Sequence, residues 1–379
     1  MIKANSRIAI LDGFRALAIT TVMFFHFFSR WTPPNNAISL YPYESTYNYF
    51  EYGKLGVQFF FIISGFVIYF TLENTMDFRT FWKKRFIRLM PSIAIASIIT
   101  FFVFRLFDTS NIFPASHYPE NFIPSLTFID PQVLRNIFAE LNINIFDDNF
   151  GYLSGSYWTL WQEIQFYIYS SIIYYFNREK FKRNFLLISI SLILLNYVFR
   201  HVQGSNRLGI NISPEVLRVY SIWIRDGFSL LSHLPFFGFG VIFYILFRNV
   251  KEKLKTSLPV KACFLFLLSY IIYSSTDWDV RMFYLGMIAI FLFFIYLPDK
   301  ISFFENSSLV SIGQCSYFLY LIHEHIGVLI INWAGRHFLF LGPIFPVMVM
   351  LLLISISIFY TNKFEFRIGN WLKRQLVRI

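Results

Sequence analysis

Long apolar runs constrain this chain more than any other feature of its sequence. Runs of about 18 residues or more recur along the 379 residues, and a helix of about 20 residues crosses the hydrocarbon core of a bilayer. Composition agrees, because 56% of the residues are hydrophobic and only 15% are charged, whereas soluble proteins average about 25% charged residues. The sequence therefore predicts an all-α fold, a polytopic bundle of helices embedded in a membrane.

The apolar pattern predicts ten transmembrane helices, and the basic residues predict their orientation. The predicted spans are 9–29, 55–73, 80–107, 156–176, 184–201, 227–247, 259–275, 282–297, 309–332 and 343–362. Lys and Arg concentrate before the first span and in alternate connecting segments, so the positive-inside rule places both termini in the cytoplasm. The net charge of +11 is thus a topology signal and not the footprint of a nucleic-acid partner.

The first span carries three ionisable residues, Asp12, Arg15 and His26. Ionisable groups at membrane depth are costly and usually face a protein interior or an aqueous cavity. Arg15 and His26 are eleven residues apart, which brings them back to nearly the same helix face, roughly 16 Å apart along the axis. This spacing suits a long anionic ligand that lies along the helix.

Two arginines enter the membrane with the third span. Arg85 and Arg88 are three residues apart and share one helix face. The planar guanidinium group binds phosphate oxygens through two parallel hydrogen bonds, so the pair is a candidate phosphate site near Arg15. The alternative is that both arginines set topology and contact lipid headgroups.

A carboxylate in the fourth span is the second candidate for chemistry. Glu163 lies beside Gln162 and Gln165 in an otherwise apolar helix. It could orient an imidazole that acts as a base, or form a salt bridge to an arginine of an outer loop.

The remaining polar insertions favour packing. His323 and His325 point about 200° apart on a helix, and neither they nor His233 show the i, i+4 spacing of a helical metal site. Ser64 and its glycine neighbour let another helix or a ligand approach closely. Cys263 and Cys315 suggest neither a disulfide nor a metal site.

Five motifs occur in order along the chain: Leu11-Asp12-Gly13 with Arg15 and His26, the segment from Gly56 to Phe66, Arg85 and Arg88 followed by Pro91, Trp158 to Tyr167, and Ser316 to His323. Together they resemble the motifs of the acyltransferase 3 family of integral-membrane O-acyltransferases. The resemblance extends over essentially the whole chain.

The chain departs from the family pattern at two places. Many members have a second Glu where this chain has Ile164, so Glu163 alone can take that role. A common Glu-x-Pro near the end reads Glu365-Phe366-Arg367 here. We expect residues 1–379 to form a single membrane domain without the extracytoplasmic esterase-like domain that some members add.

The resemblance implies an O-acyltransferase of the bacterial inner membrane that uses acyl-CoA, by default acetyl-CoA, as donor substrate, with no tightly bound cofactor and no metal. Arg15, Arg85 and Arg88 would bind the donor phosphates, and His26 would act as general base with Glu163 holding its tautomer. The alternative is a relay in which His26 itself carries the acyl group. The supporting residues would be Asp12, Ser64, Trp158, Gln165, Tyr167 and His323.

The acceptor implied is a carbohydrate or lipid-linked glycan on the outer side, where residues 30–54 and 108–155 form two long loops rich in polar and aromatic residues. Two other classes of protein would also need buried charge. One is a transporter or flippase for a polar or lipid-linked substrate, which would move it without turning over acyl-CoA. The other is a non-catalytic membrane scaffold.

Overall fold

The computed structural model describes residues 8–30, 48–109, 111–143, 146–204, 212–275 and 277–376. Over these residues the chain is helical. The helices are α1 (Ala9–Phe28), α2 (Gly56–Glu73), α3 (Phe78–Phe107), α4 (Phe122–Thr127), α5 (Pro131–Glu140), α6 (Trp158–Phe176), α7 (Phe181–Gly204), α8 (Pro214–Val219), α9 (Leu230–Lys251), α10 (Leu258–Ser274), α11 (Trp278–Tyr296), α12 (Ser307–Gly335), α13 (Ile344–Tyr360) and α14 (Phe366–Leu376). Short 3₁₀ turns flank several of them, among them Asn48–Leu55 before α2 and Gly155–Tyr157 before α6.

The predicted membrane bundle is confirmed, and each of the ten predicted spans coincides with a helix. Among the described residues, eight helical segments are long and apolar enough to cross a membrane. The other two predicted spans are α10, an apolar helix of 17 residues, and α6, a helix of 19 residues that contains Glu163.

Helices α1 and α12 lie side by side and run in the same direction. Gly313 of α12 faces the backbone of Asp12, and Gly327 faces the ring of Phe27. The residue numbers increase in the same direction along both helices, so the pair is parallel. A Cβ atom at Gly313 would collide with the backbone of α1, and one at Gly327 would collide with the ring of Phe27. This pairing places the His323-Glu324-His325 segment beside the outer half of α1.

Helices α2 and α9 form a second close parallel pair. Their backbones meet at Gly65 and Gly240, as the small residues in the second span predict. On one side of this crossing the rings of Phe61 and Phe237 stack with centroids 4.6 Å apart. On the other side, Glu73 forms an ion pair of 2.6 Å with Arg248.

Helix α3 begins at a strong cap. The side chain of Asp77 accepts hydrogen bonds from the backbone N–H and the hydroxyl of Thr80, at 2.9 and 2.7 Å. These bonds stabilise the carboxylate and hold the pKa of Asp77 below its usual range. The cap fixes the start of the helix that carries Arg85 and Arg88.

The predicted outer loop 108–155 is largely folded where it is described. Asn121 joins its parts, because its amide nitrogen donates to the carbonyl oxygens of Ala115 and Asn149 while its amide oxygen accepts from the N–H of Gly151. Of the other predicted outer loop, residues 31–47 lie outside the described residues.

Candidate active site

A cavity between α1, α2, α3, α6 and α12 collects the arginines that the sequence singles out. Arg15, Arg85 and Arg88 line it together, although they come from two different helices. Ser64, Glu163 and Tyr167 line it as well, with Tyr317 and Tyr320 of α12. We call it the arginine cavity. Three guanidinium groups and one carboxylate in one cavity suit an anionic ligand.

Arg85 is held in place by aromatic rings. It is buried, and its guanidinium carbon lies 5.7 Å from the ring centre of Phe81 and 5.8 Å from that of Tyr167. Its Nη2 donates to the hydroxyl of Thr71 at 3.3 Å, while its Nε makes no hydrogen bond to any described residue. A buried N–H without an acceptor is costly, so the geometry favours a bound anion as its partner.

A second cavity lies around His26, and we call it the histidine cavity. His26 and Arg30 of the first helical segment line it together with Lys54, Trp158 and Glu324; Gly155 and Ser156 are also part of its wall. His26 is buried, and its Nδ1 atom lies 3.3 Å from Oε1 of Glu324. This is the arrangement of an imidazole base with an orienting carboxylate.

Two further groups surround this pair. The Nε atom of Arg30 lies 3.5 Å from the same carboxylate oxygen of Glu324. The ring of His323 lies edge-on to that of His26, with centroids 5.1 Å apart. Because the Nδ1 of His323 is 2.8 Å from the carbonyl oxygen of Tyr320, that nitrogen carries the proton.

The two cavities share part of their walls. Val57 and Tyr320 line both of them. The hydroxyl of Thr159 donates to that of Tyr320 at 3.1 Å, and Phe60 packs edge-on against the Tyr320 ring. Arg15 and His26 therefore lie on two adjoining cavities, one beyond the other along α1.

The structure corrects the expected partner of His26. Glu163 accepts a hydrogen bond from Ser64 at 2.8 Å and lines the arginine cavity, and it is Glu324 that lies against the imidazole. The reason is the parallel pairing of α1 and α12, which brings Glu324 to the depth of His26.

The supporting residues fall into three groups. Ser64 and Tyr167 line the arginine cavity, and Asp12 forms an ion pair of 2.7 Å with Arg15. Trp158 lines the histidine cavity. Gln165 lies in neither cavity, because its amide nitrogen donates to the carbonyl of Gly227 at 2.6 Å and its oxygen accepts from the N–H of Leu230 at 2.9 Å, which ties the start of α9 to α6.

Sequence reasoning missed Glu324, Arg30 and Tyr320. Glu324 could have been found from the sequence, since a carboxylate between two histidines in an apolar span is costly and usually marks a functional site. The divergent directions of His323 and His325 argue only against a shared metal site and say nothing about the carboxylate between them. Arg30 and Tyr320 carried no such signal, because a basic residue at a span end and a tyrosine within a span are common.

A sequence profile described as an acyltransferase domain matches residues 8–360. This chain belongs to the acyltransferase 3 family. The match covers the helices that line both cavities.

Several curated proteins are similar to this member of the family. A protein of Staphylococcus aureus strain COL, named "Putative O-acetyltransferase", is 24% identical over 378 residues that cover 93% of this chain and 55% of that protein. The "O-acetyltransferase OatA" of Staphylococcus aureus strain NCTC 8325 is 24% identical over 84% of this chain and 50% of its own length. A "Putative acetyltransferase" of Acidianus two-tailed virus is 25% identical over 84% of this chain and 82% of its own length.

These matches differ in how much of each relative they cover. The chain spans about half the length of the staphylococcal relatives that it matches. No solved structure matches the chain significantly.

Proposed function

We propose that this chain is a membrane-bound O-acyltransferase that moves an acyl group, by default acetyl, from cytoplasmic acyl-CoA to a hydroxyl of an extracytoplasmic or lipid-linked carbohydrate. Its location would be the bacterial inner membrane. The observation that carries the proposal is the pair of adjoining cavities along α1, one with three arginines and the other with a histidine–carboxylate pair. Membership of the family and the printed names of the relatives support it.

The arginine cavity would bind the donor. Arg85 and Arg88 lie near the start of α3, the end that the positive-inside rule assigns to the cytoplasm. Their guanidinium groups would hold phosphate oxygens of acyl-CoA, and Arg15 would assist deeper in the membrane. Glu163, held by Ser64, would accept hydrogen bonds from amide N–H groups of the donor's long arm.

The arm would then pass the shared wall of the two cavities. Val57 and Tyr320 line both, so a thioester carried past them reaches the side of His26. The roughly 16 Å between Arg15 and His26 along a helix suits an extended arm better than a small substrate.

The transfer step would use His26 as the base. Its Nδ1 faces Glu324, so Nε2 is the nitrogen for the substrate. The acceptor hydroxyl gives its proton to Nε2 while its oxygen attacks the thioester carbonyl carbon, and the carbon–sulfur bond then breaks. The departing thiolate takes the proton from the imidazolium, which leaves an ester, free CoA thiol and a neutral His26. Glu324 would stabilise the transient imidazolium.

The acceptor would approach the histidine cavity from the opposite side. Trp158 offers an aromatic face on which a sugar ring can stack, and the ammonium group of Lys54 offers hydrogen-bond donors. Both residues lie at or next to the ends of the predicted outer segments 30–54 and 108–155. A sugar hydroxyl is therefore the nucleophile that fits this side.

The proposal is tested first in cells. Mass spectrometry of cell-surface glycans, with and without the protein, should reveal an added acetyl mass on one glycan that His26→Ala abolishes at equal membrane abundance. The direct test uses purified protein in lipid nanodiscs with radiolabelled acetyl-CoA. Movement of a lipid-linked substrate without release of CoA thiol would overturn the proposal in favour of a transporter.

A further inference from the structure

His325 lies next to Glu324 but faces a different part of the molecule. Consecutive side chains on a helix differ in direction by about 100°, so His325 points toward the folded 108–155 segment. It is buried, and its ring stacks on that of Phe113 with centroids 3.7 Å apart and planes tilted by 12°. Neither cavity described above includes it among its lining residues.

The hydrogen bonds of His325 fix its tautomer. The backbone N–H of Gly155 can only donate, and it lies 2.8 Å from Nε2, so Nε2 is an acceptor. The hydroxyl of Ser116 donates to the carbonyl of Leu153 at 2.8 Å, so its oxygen is free to accept from Nδ1, which lies 2.9 Å away. The ring is therefore uncharged and carries its proton on Nδ1.

These bonds hold the chain just before α6 against α12. We call Ser116, Leu153, Gly155 and His325 the histidine clamp. Within it, Gly155 lies against the catalytic carboxylate, since a Cβ atom on Gly155 would be 2.9 Å from Oε2 and 3.0 Å from Oε1 of Glu324. Gly155 is also part of the wall of the histidine cavity.

We propose that His325 is a positioning residue for acyl transfer, which acts by holding Gly155 against Glu324 and so keeps that carboxylate on His26. This inference rests on the proposed function. The carboxylate is confined on one side by the imidazole and Arg30 and on the other by the Gly155 backbone. Without the clamp, the second side opens and Glu324 gains room to turn away from His26.

The contacts make this a specific role for an imidazole. A phenyl ring at position 325 would keep the stacking on Phe113 but would leave the N–H of Gly155 without its acceptor. A buried N–H without an acceptor is unfavourable, so the backbone at Gly155 would shift until this N–H meets a different acceptor. A glutamine carries a carbonyl oxygen at the end of a side chain of similar reach and restores an acceptor for Gly155.

The test compares His325→Phe with His325→Gln, using purified full-length protein in nanodiscs. CoA release from acetyl-CoA is measured with a glycan fraction from cells that lack the protein, and hydrogen exchange reports on the Gly155 amide. We expect His325→Phe to lower kcat by about 10- to 100-fold, since a displacement of about 1 Å can cost 10²-fold, with the KM for acetyl-CoA unchanged. The rate of hydrogen exchange at the Gly155 amide should rise in His325→Phe. In His325→Gln both kcat and this exchange rate should stay close to the wild-type values.

Two further variants keep the test decisive. Ser116→Ala removes the acceptor of the Nδ1 proton and the donor to the Leu153 carbonyl, but it leaves the Gly155 N–H bonded to Nε2. It should therefore lower kcat less than His325→Phe, again without a change in KM. His201→Phe is the matched control, because His201 packs on Tyr197 and lines neither cavity.

The possible results separate the inference from the proposed function. An unchanged kcat in His325→Phe overturns the inference, as does a joint loss of kcat, acetyl-CoA affinity and thermal stability that glutamine fails to rescue. A wild-type protein that transfers no acetyl group to any glycan overturns the proposed function and the catalytic role with it. In that case, amide exchange at Gly155 still shows whether the clamp exists.

Discussion

The imidazole of His26 and the carboxylate of Glu324 lie 3.3 Å apart although they belong to the first long helix and to α12. Each helix supplies one member of the pair. The distance between His26 and Glu324 therefore depends on how α1 and α12 pack, and mutations can test the contacts between these helices.

The carboxylate of Glu324 should matter for turnover more than for donor binding. Glu324→Gln keeps the size of the side chain but removes the charge that stabilises an imidazolium, so we expect kcat to fall by roughly 10²-fold or more. The KM for acetyl-CoA should change little, because the arginine cavity is intact. Steady-state kinetics in nanodiscs measure both. Glu305→Gln, at an exposed position, is the control, and equal kcat values for the two variants would remove Glu324 from the mechanism.

Arg85 should matter for donor binding. Arg85→Lys keeps the positive charge but loses the planar fork, so we expect the Kd for CoA to rise by about tenfold or more, as a charge-assisted hydrogen bond is worth about 1.5–3 kcal/mol. Calorimetric titration with CoA measures the change. The matched control is Lys83→Gln, an exposed basic position two residues earlier on α3. If both variants bind CoA like the wild type, phosphate recognition lies elsewhere.

The close approach of α1 and α12 can be tested with one methyl group. Gly313→Ala places a Cβ atom against the backbone of Asp12, so the helices must separate, and we expect a loss of about 1–3 kcal/mol in stability together with a loss of activity. Gly286→Ala is the control, because a Cβ atom there meets nothing within 4 Å. Thermal unfolding and acetyl transfer are measured on both. A stable and active Gly313→Ala variant would contradict the packing.

The cap of α3 predicts a pH dependence of stability. The folded-state pKa of Asp77 is lowered by its hydrogen bonds to Thr80, so its stabilisation is present above the unfolded pKa of about 3.9 and is lost as pH falls through the folded value. Asp77→Asn also caps a helix but does not titrate. The unfolding temperature of the wild type, compared with that of Asp77→Asn at several pH values, should therefore drop selectively below about pH 4. A constant difference between the two proteins would rule out this linkage.

The membrane helices were predictable because the relevant signal is local. A run of apolar residues long enough to cross a bilayer predicts a helix without any knowledge of the rest of the chain. Each predicted span, from α1 to α13, accordingly coincides with a helix. The arginine cavity was predictable for a similar reason, because Arg85 and Arg88 share a helix face and lie at the membrane end where Arg15 was expected.

The partner of His26 was not predictable in this way. Glu163 and Glu324 are both carboxylates in apolar helices, and choosing between them requires the knowledge that α12 lies along α1. That pairing depends on the fit of Gly313 and Gly327 to a second helix, and periodicity within one helix does not reveal it. The hydrogen bonds of Asn121 and of Gly155 likewise join residues that are distant in the chain.

The close contact at Gly313 also sets a rule of register for α12. Between that glycine and Glu324 the helix is continuous, so one inserted or deleted residue would turn the carboxylate by about 100° and move it by about 1.5 Å along the axis. The number of residues separating the contact from the carboxylate is therefore as strict a requirement as the identity of either one. In a relative whose α12 differs in length within this stretch, the acid that faces the imidazole would have to come from another position.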